Sequence, residues 1–274
     1  MYTKTLNNGI SIPQLGFGVW KVPDEEAVGT VDEAIQAGYR LIDTAKIYGN
    51  EVGVGKAIAN SSIPREDLFI TTKLWNADQG YESTLKAFDE SLEKLGLDYV
   101  DLYLIHWPTP MYDTYVESYK AMEKIYKEGR AKAIGVCNFD IEHLQRIIDE
   151  CEIIPAINQV ECHPYLQQTA LKAFCEQHGI LVEAYSPLMN GKNVLENATI
   201  QEIAKQHGKT PAQIILRWHL QKDTVVIPKT ITPSRMVENL DVFNFELSAA
   251  DMDEIATLDR NERINAVPSE MNRR

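Results

Sequence analysis

Short apolar runs alternate with amphipathic segments about eight times along this chain, a cadence that few folds accommodate. The runs are LGFGVW, YRLIDTA, DLFITTKLW, YVDLYLIHW, KAIGVCN, AINQVEC, ILVEAYSPL and TVVIPK. They are nearly continuous in apolar, β-branched and aromatic residues, as parallel strands covered on both faces require. Between them lie helical patterns. In ESTLKAFDESLEKLGL, for example, Leu85, Phe88, Leu92 and Leu95 form one stripe and leave Glu82, Lys86, Asp89 and Lys94 in water. Eight strand–helix units over roughly 250 residues predict an α/β fold, the closed (β/α)8 TIM barrel, whereas a doubly wound sheet usually ends nearer five or six strands. Two short segments, 3–6 and 9–12, flank Asn7-Asn8-Gly9 and read as an N-terminal β-hairpin at the barrel bottom. With no linker, charge block or low-complexity stretch, residues 1–274 read as a single barrel domain.

Lys and Arg number 27 against 40 Asp and Glu, a net charge of −13. Such a surface repels phosphate backbones and anionic headgroups, so neither nucleic acid nor membrane is an expected partner. The N-terminal sequence lacks the apolar core of a secretion signal, and no run of about 18 apolar residues occurs. The four cysteines include no C-x-x-C pair and read as reduced thiols. The expected protein is therefore cytoplasmic, and it is expected to be a monomer. His163 beside Cys162 has no further ligand at metal-binding spacing, so no metal is expected.

In a barrel, side chains just past the carboxyl ends of the strands converge on one mouth. The second run ends in Asp43 with Tyr48 shortly after, the third in Lys73 with Trp75, and the fourth in His106 with Trp107. Asp, Lys and Tyr together suit a proton donor. A phenol with an ordinary pKa of about 10 is a weak acid near neutrality, and the charge of Lys73 is expected to make it stronger. Asp43 would hold that ammonium and offset the cost of burying it. His106 would orient a carbonyl oxygen. The chemistry that fits is reduction of C=O, in which hydride reaches carbon while an acid meets the developing alkoxide. Trp20, Trp75 and Trp107, each at a strand end, are expected to wall the substrate pocket beside His106. A lone buried Lys73 also suits a barrel aldolase working through a Schiff base, which stands as an alternative.

The motifs GFGVW, RLIDTAKIYGNE, TTKLW, DLYLIHWP, GVCNF, NQVECHP, AYSPL and IPKT follow one another almost end to end. In them the chain resembles the aldo-keto reductase superfamily, and within it the bacterial branch of 2,5-diketo-D-gluconate, glyoxal and methylglyoxal reductases. The resemblance implies NADPH-dependent reduction of small aldehydes and ketones, from dicarbonyls to sugar and aromatic aldehydes. Tyr48 would be the general acid, Lys73 and Asp43 would tune it, and His106 would orient the substrate. It further implies that Asn138 and Gln159 hold the nicotinamide carboxamide and that Tyr185 stacks on the ring. Ser186 and Leu188 would lie along the pyrophosphate, Lys229, Thr230 and Arg235 would receive a 2′-phosphate, and Glu238 and Asn239 would meet adenine. Two cations and a hydroxyl in so acidic a chain suit a phosphate dianion, which favours NADPH/NADP+ over NADH.

Three departures from the family pattern carry expectations of their own. Cys137 stands where many relatives have Ser and reads as packing. No Gly-x-Gly follows SPL, so the pyrophosphate loop is expected to close differently. The tail after Asp259 is short and is expected to cover little of the mouth. Gly53-Val54-Gly55 lacks the third glycine of a dinucleotide fingerprint and falls inside a predicted helix. A non-catalytic nicotinamide-binding sensor is the remaining alternative, and the full set of Asp43, Tyr48, Lys73 and His106 speaks against it.

Overall fold

In the computed structural model, which describes residues 2–274, the chain begins with the predicted hairpin. Thr3–Thr5 (β1) pairs antiparallel with Ser11–Pro13 (β2) across a turn in which Gly9 has φ of 87°, a conformation glycine adopts without strain. Leu6 and Ile12 from this hairpin are buried in one cluster with Leu41, Phe69, Leu102, Ala133, Ile157 and Val225. Those residues lie at or near the starts of the sheet strands, so the hairpin seals the amino end of the barrel.

Eight parallel strands follow: Phe17–Gly18 (β3), Leu41–Asp43 (β4), Phe69–Leu74 (β5), Val100–Ile105 (β6), Ala131–Cys137 (β7), Ile157–Glu161 (β8), Leu181–Tyr185 (β9) and Val225–Val226 (β10). They pair in sequence order from β3 to β10. Closure is made by backbone bonds between the two end strands. Gly16 N donates to Val226 O at 2.8 Å, Val226 N to Gln14 O at 3.0 Å, and Gly18 N to Pro228 O at 3.1 Å. β3 and β10 are much shorter than the runs LGFGVW and TVVIPK, because this seam continues as irregular backbone pairing. Gly16 permits the close approach, since a Cβ there would sit 2.5 Å from the Leu41 side chain.

The helices form the outer layer, among them Asp24–Ala37 (α1), Glu51–Asn60 (α2), Tyr81–Leu95 (α3), Tyr115–Lys127 (α4), Ile141–Glu150 (α5) and Thr169–Gln177 (α6). Ala198–His207 (α7) and Pro211–Gln221 (α8) both lie between β9 and β10, and Pro233–Leu240 (α9) and Ala249–Ala256 (α10) follow. The stripe read on α3 packs inward, with Phe88, Leu92 and Leu95 buried and Leu85 half-buried against the core. Trp218 is fully buried on α8 in a satellite cluster with Ile203, Ile214 and Leu247. Among the described residues no helix is long and apolar enough to cross a membrane.

Gly53 and Gly55 lie on α2 and serve helix packing. A Cβ on Gly53 would meet Asp24 O at 2.4 Å, and one on Gly55 would meet Leu95 O at 2.2 Å. Gly55→Ala is therefore expected to destabilise the protein by about 1–3 kcal/mol, although Gly to Ala in a helix ordinarily gains about 0.5–1 kcal/mol. The exposed Gly29 on α1, with nothing within 4 Å of its Cβ position, should show that ordinary gain. Urea unfolding of the two variants checks the opposite signs.

Candidate active site

At the carboxyl end of the barrel lies a cavity of about 1210 Å³. Single drug-sized ligands occupy roughly 300–1,000 Å³, so the space suits something larger or two molecules together. Of the site residues named from the sequence, all but Lys73 line this cavity; Lys73 lies wholly buried beneath it.

The strand ends bring the polar cluster together. Lys73 Nζ donates to Asp43 Oδ1 at 2.5 Å and to Thr44 O at 2.9 Å. The same ammonium is 5.2 Å from the centre of the Tyr48 ring. Tyr48 sits on the one-turn 3-10 helix Lys46–Tyr48 directly after β4 and is half-buried. This loop is fixed from below: Thr44 Oγ1 donates to Asn50 Oδ1 at 2.7 Å, and Asn50 Nδ2 donates to Val19 O and Val22 O, both at 2.9 Å. His106, one residue past β6, meets Tyr48 edge-on at 5.7 Å between ring centres and Trp75 at 5.5 Å. Trp20, Trp75 and Trp107 all stand around it on the cavity wall.

Electrostatics assign each group a resting state. Burial is the largest single influence and disfavours the charge on Lys73, but its neighbours, Asp43 first among them, together outweigh it and raise the ammonium's pKa above the ordinary lysine value. Burial, reinforced by Lys73, holds His106 well below its usual pKa, so the imidazole is neutral and keeps one N–H to donate. Its Nδ1 has no protein partner. For Tyr48 the expectation of a strengthened acid needs correction. Lys73 does pull its pKa down, but desolvation of the phenol is larger and the net shift is upward. The phenol therefore stays protonated through neutral and mildly alkaline pH. The Lys73 ammonium lies where its charge would favour a phenolate at Tyr48.

The opposite wall carries amides and the rim carries cations. Asn138, at φ of 62°, donates through Nδ2 to His106 O at 3.0 Å and accepts from Tyr185 OH at 2.7 Å. Gln159 Nε2 donates to Asp43 Oδ2 at 2.8 Å and Glu183 Oε2 at 3.1 Å, which commits both its hydrogens and leaves Oε1 as an acceptor. Cys137 is buried; its Sγ accepts from Asn138 Nδ2 at 3.2 Å and its thiol donates to Gln159 Oε1 at 3.6 Å, taking one of that oxygen's two lone pairs and bridging the two amides. After β9, positive φ at Ser186, Met189, Asn190 and Gly191 coils the segment into a tight loop beside the cavity. Lys229 and Arg235 are exposed at the rim, Thr230 and Asn239 are buried near them, and Glu238 accepts from Thr210 Oγ1 at 2.8 Å.

The tail does more than its length suggested. Ile264 N and Asn265 N donate to the two Glu161 oxygens at 2.7 and 3.0 Å, while Asn76 Nδ2 donates to Arg273 O at 2.7 Å and Met111 N to Asn272 Oδ1 at 2.9 Å. Asn265, Ala266, Met271 and Arg273 consequently line the mouth instead of leaving it open. Burial opposes the Glu161 charge, but His163, the Ile264 amide and Asn265 outweigh it and lower its pKa. Glu161 and Glu183 were not singled out from the sequence. Their signal was a charged residue inside an apolar strand, each two residues from a named site residue and hence on the same face: Gln159 for Glu161, Tyr185 for Glu183.

Comparison with known proteins agrees with this architecture. The family model described as "Aldo/keto reductase family" matches residues 14–260. The chain is 52% identical to glyoxal reductase of Bacillus subtilis (strain 168) over 270 residues, covering 98% of this chain and 97% of that protein. It is 51% identical to methylglyoxal reductase DkgA of Escherichia coli (strain K12) over 266 residues, covering 97% and 96%. Among solved structures, a Gox0644 mutant in complex with NADPH superimposes with a TM-score of 0.95 at 46% identity, covering 98% of each chain.

Proposed function

The chain belongs to the aldo/keto reductase family, and from that premise we propose that it reduces small aldehydes and ketones, dicarbonyls such as glyoxal and methylglyoxal foremost, with NADPH. The observation that carries this reading is the convergence of Tyr48 and neutral His106 over the buried Lys73–Asp43 pair at one end of a cavity with room for a dinucleotide. Bound NADPH would supply the hydride. Its fit rests on two exposed cations beside a hydroxyl at one rim of an otherwise acidic molecule, and on free acceptor capacity at Gln159 Oε1 and Asn138 Oδ1 where a carboxamide N–H would reach.

The chain's own residues divide the remaining work. The neutral His106 donates an N–H to the carbonyl oxygen and fixes its direction. Tyr48 transfers its proton to that oxygen as negative charge develops there. The Lys73 ammonium stabilises the phenolate that remains, and Asp43 keeps the ammonium in place. Trp20, Trp75, Trp107 and the tail exclude water. Every group in this scheme comes from one chain, so the site needs no residue from a second copy, and free thiols at all four cysteines fit a reducing, cytoplasmic setting.

The aldolase alternative is disfavoured by the state of Lys73: a Schiff base needs an uncharged, accessible amine, and this one is inaccessible and held charged by Asp43. A panel of dicarbonyls, sugars and aromatic aldehydes, followed by loss of NADPH absorbance, tests the proposal. Turnover is expected with the dicarbonyls, and NADPH binding without oxidation of any panel member would instead support a sensor. At the rim, Lys229→Ala combined with Arg235→Ala should raise KM for NADPH by about 10²-fold through loss of two charge-assisted contacts, while KM for NADH changes by only a few fold. Equal changes for both cofactors would remove the 2′-phosphate assignment.

A further inference from the structure

Beneath the cavity a polar chain crosses the barrel interior from Lys73 on β5 through Asp43 on β4 and Gln159 on β8 to Glu183 on β9. The first three have roles in the proposed reduction; Glu183 has none. It is completely buried, its Oε2 accepts from Gln159, and its Oε1 has no partner. A carboxylate in that position would have an unpaired oxygen in a dry interior, which is costly; a protonated carboxyl is not penalised in the same way. The charged and titratable groups facing it are Asp43 from β4, Lys73 from β5 and the Cys137 thiol from β7, while β10 presents Val225 beside it. Asp43 already takes the Lys73 charge in a direct bond, so among the described residues no cation remains to pair with Glu183. Gln159 thus holds two carboxyl groups at once, and only one of them has a counterion.

Resting on the reductase reading above, we propose that Glu183 is a positioning residue. Its uncharged carboxyl shares Gln159 with Asp43, and loss of its proton adds a second negative charge behind the Asp43–Lys73 pair that holds the Tyr48 proton more tightly and slows reduction. Burial, followed by the charge of Asp43, pushes its pKa up to about 8, so the group is protonated at neutral pH and ionises in the mildly alkaline range. Below that range the second charge is absent and Tyr48 donates at its full rate. Above it, the added charge favours the protonated phenol, so reduction falls and the reverse oxidation, which needs the phenolate as base, gains.

The test compares kcat for NADPH-dependent methylglyoxal reduction at pH 7 and pH 9 in the wild type and in Glu183→Gln, which keeps the shape and cannot ionise. A buried unit charge acting on a nearby acid at an effective dielectric of about 20 alters it by on the order of tenfold, of which a partial proton transfer realises about threefold. The wild type should therefore lose about threefold more rate between the two pH values than Glu183→Gln does. Equal pH dependence in both proteins overturns the proposal, whereas a wild type that oxidises no NADPH defeats the reductase reading itself. If Glu183→Gln fails to fold, carbon-13 NMR of wild-type protein labelled at glutamate carboxyls gives an independent answer. One carboxyl titrating above pH 7 is expected, and titration of every observed glutamate in the acidic range overturns the proposal.

Discussion

Tyr48→Phe is expected to lower kcat for carbonyl reduction by about 10³-fold while changing Kd for NADPH by less than about twofold, since general acid catalysis contributes roughly 10²–10⁴ and the hydroxyl is needed only as the alkoxide forms. The substitution removes one oxygen from a half-buried ring and leaves the edge contact with His106 in place. The pocket should keep its shape. Steady-state kinetics with methylglyoxal and fluorescence titration with NADPH separate the two quantities. A variant with more than about a tenth of wild-type turnover would assign the proton to another group, and the imidazole of His106 is the nearest candidate.

Lys73→Met tests the other half of the site, and here stability and activity should fall together. The side chain is fully buried and bonded to Asp43 at 2.5 Å, so its loss leaves a buried carboxylate without its cation. Breaking such a pair from one side costs about 3–5 kcal/mol, far more than an exposed ion pair would. Turnover should drop by at least about 10²-fold, because nothing then stabilises the phenolate. Adding Asp43→Asn removes the orphaned charge. The double variant should regain most of the stability in urea melts and none of the turnover, which divides the structural role of the pair from its chemical one. The pH dependence has a definite sign. The folded-state pKa of Lys73 is raised, so its stabilising contribution is present in full below the ordinary lysine value of about 10.4 and fades only as pH climbs through the raised one.

The sequence made one part of this molecule readable and hid another, and physics separates them. Asp43, Tyr48, Lys73 and His106 were legible because parallel strands of known period must deliver their carboxyl-end residues to one mouth. Charge alone left Lys229 and Arg235 as well explained by a solvated helix start; it was the resemblance to the aldo-keto reductases that pointed them at a phosphate, and the fold brings both to the cavity rim. Glu183 was not legible, since its significance depends on Gln159 and Asp43 reaching it from other strands across the barrel interior, and no spacing along the chain encodes that encounter. The tail was misread for a similar reason: its few residues cover the mouth because Glu161, 103 positions before Ile264, captures them. The acidity of Tyr48 was misjudged because the attraction of Lys73 follows from residue type, while the larger desolvation follows from enclosure. Charge identity is written in the sequence; dielectric surroundings are a property of the folded state.

The central claim is that the protonated phenol and the hydride-bearing carbon serve one carbonyl group in a shared cavity. A crystal structure with NADP+ bound measures this through the separation of the nicotinamide C4 atom from the Tyr48 hydroxyl. The prediction is a ring lying against Tyr185 with C4 about 4 Å from that hydroxyl, the gap that one carbonyl bridges when reacting atoms approach to roughly 3–3.5 Å. A nicotinamide ring seated elsewhere, with the phenol out of reach of any carbonyl placed over C4, would contradict the account.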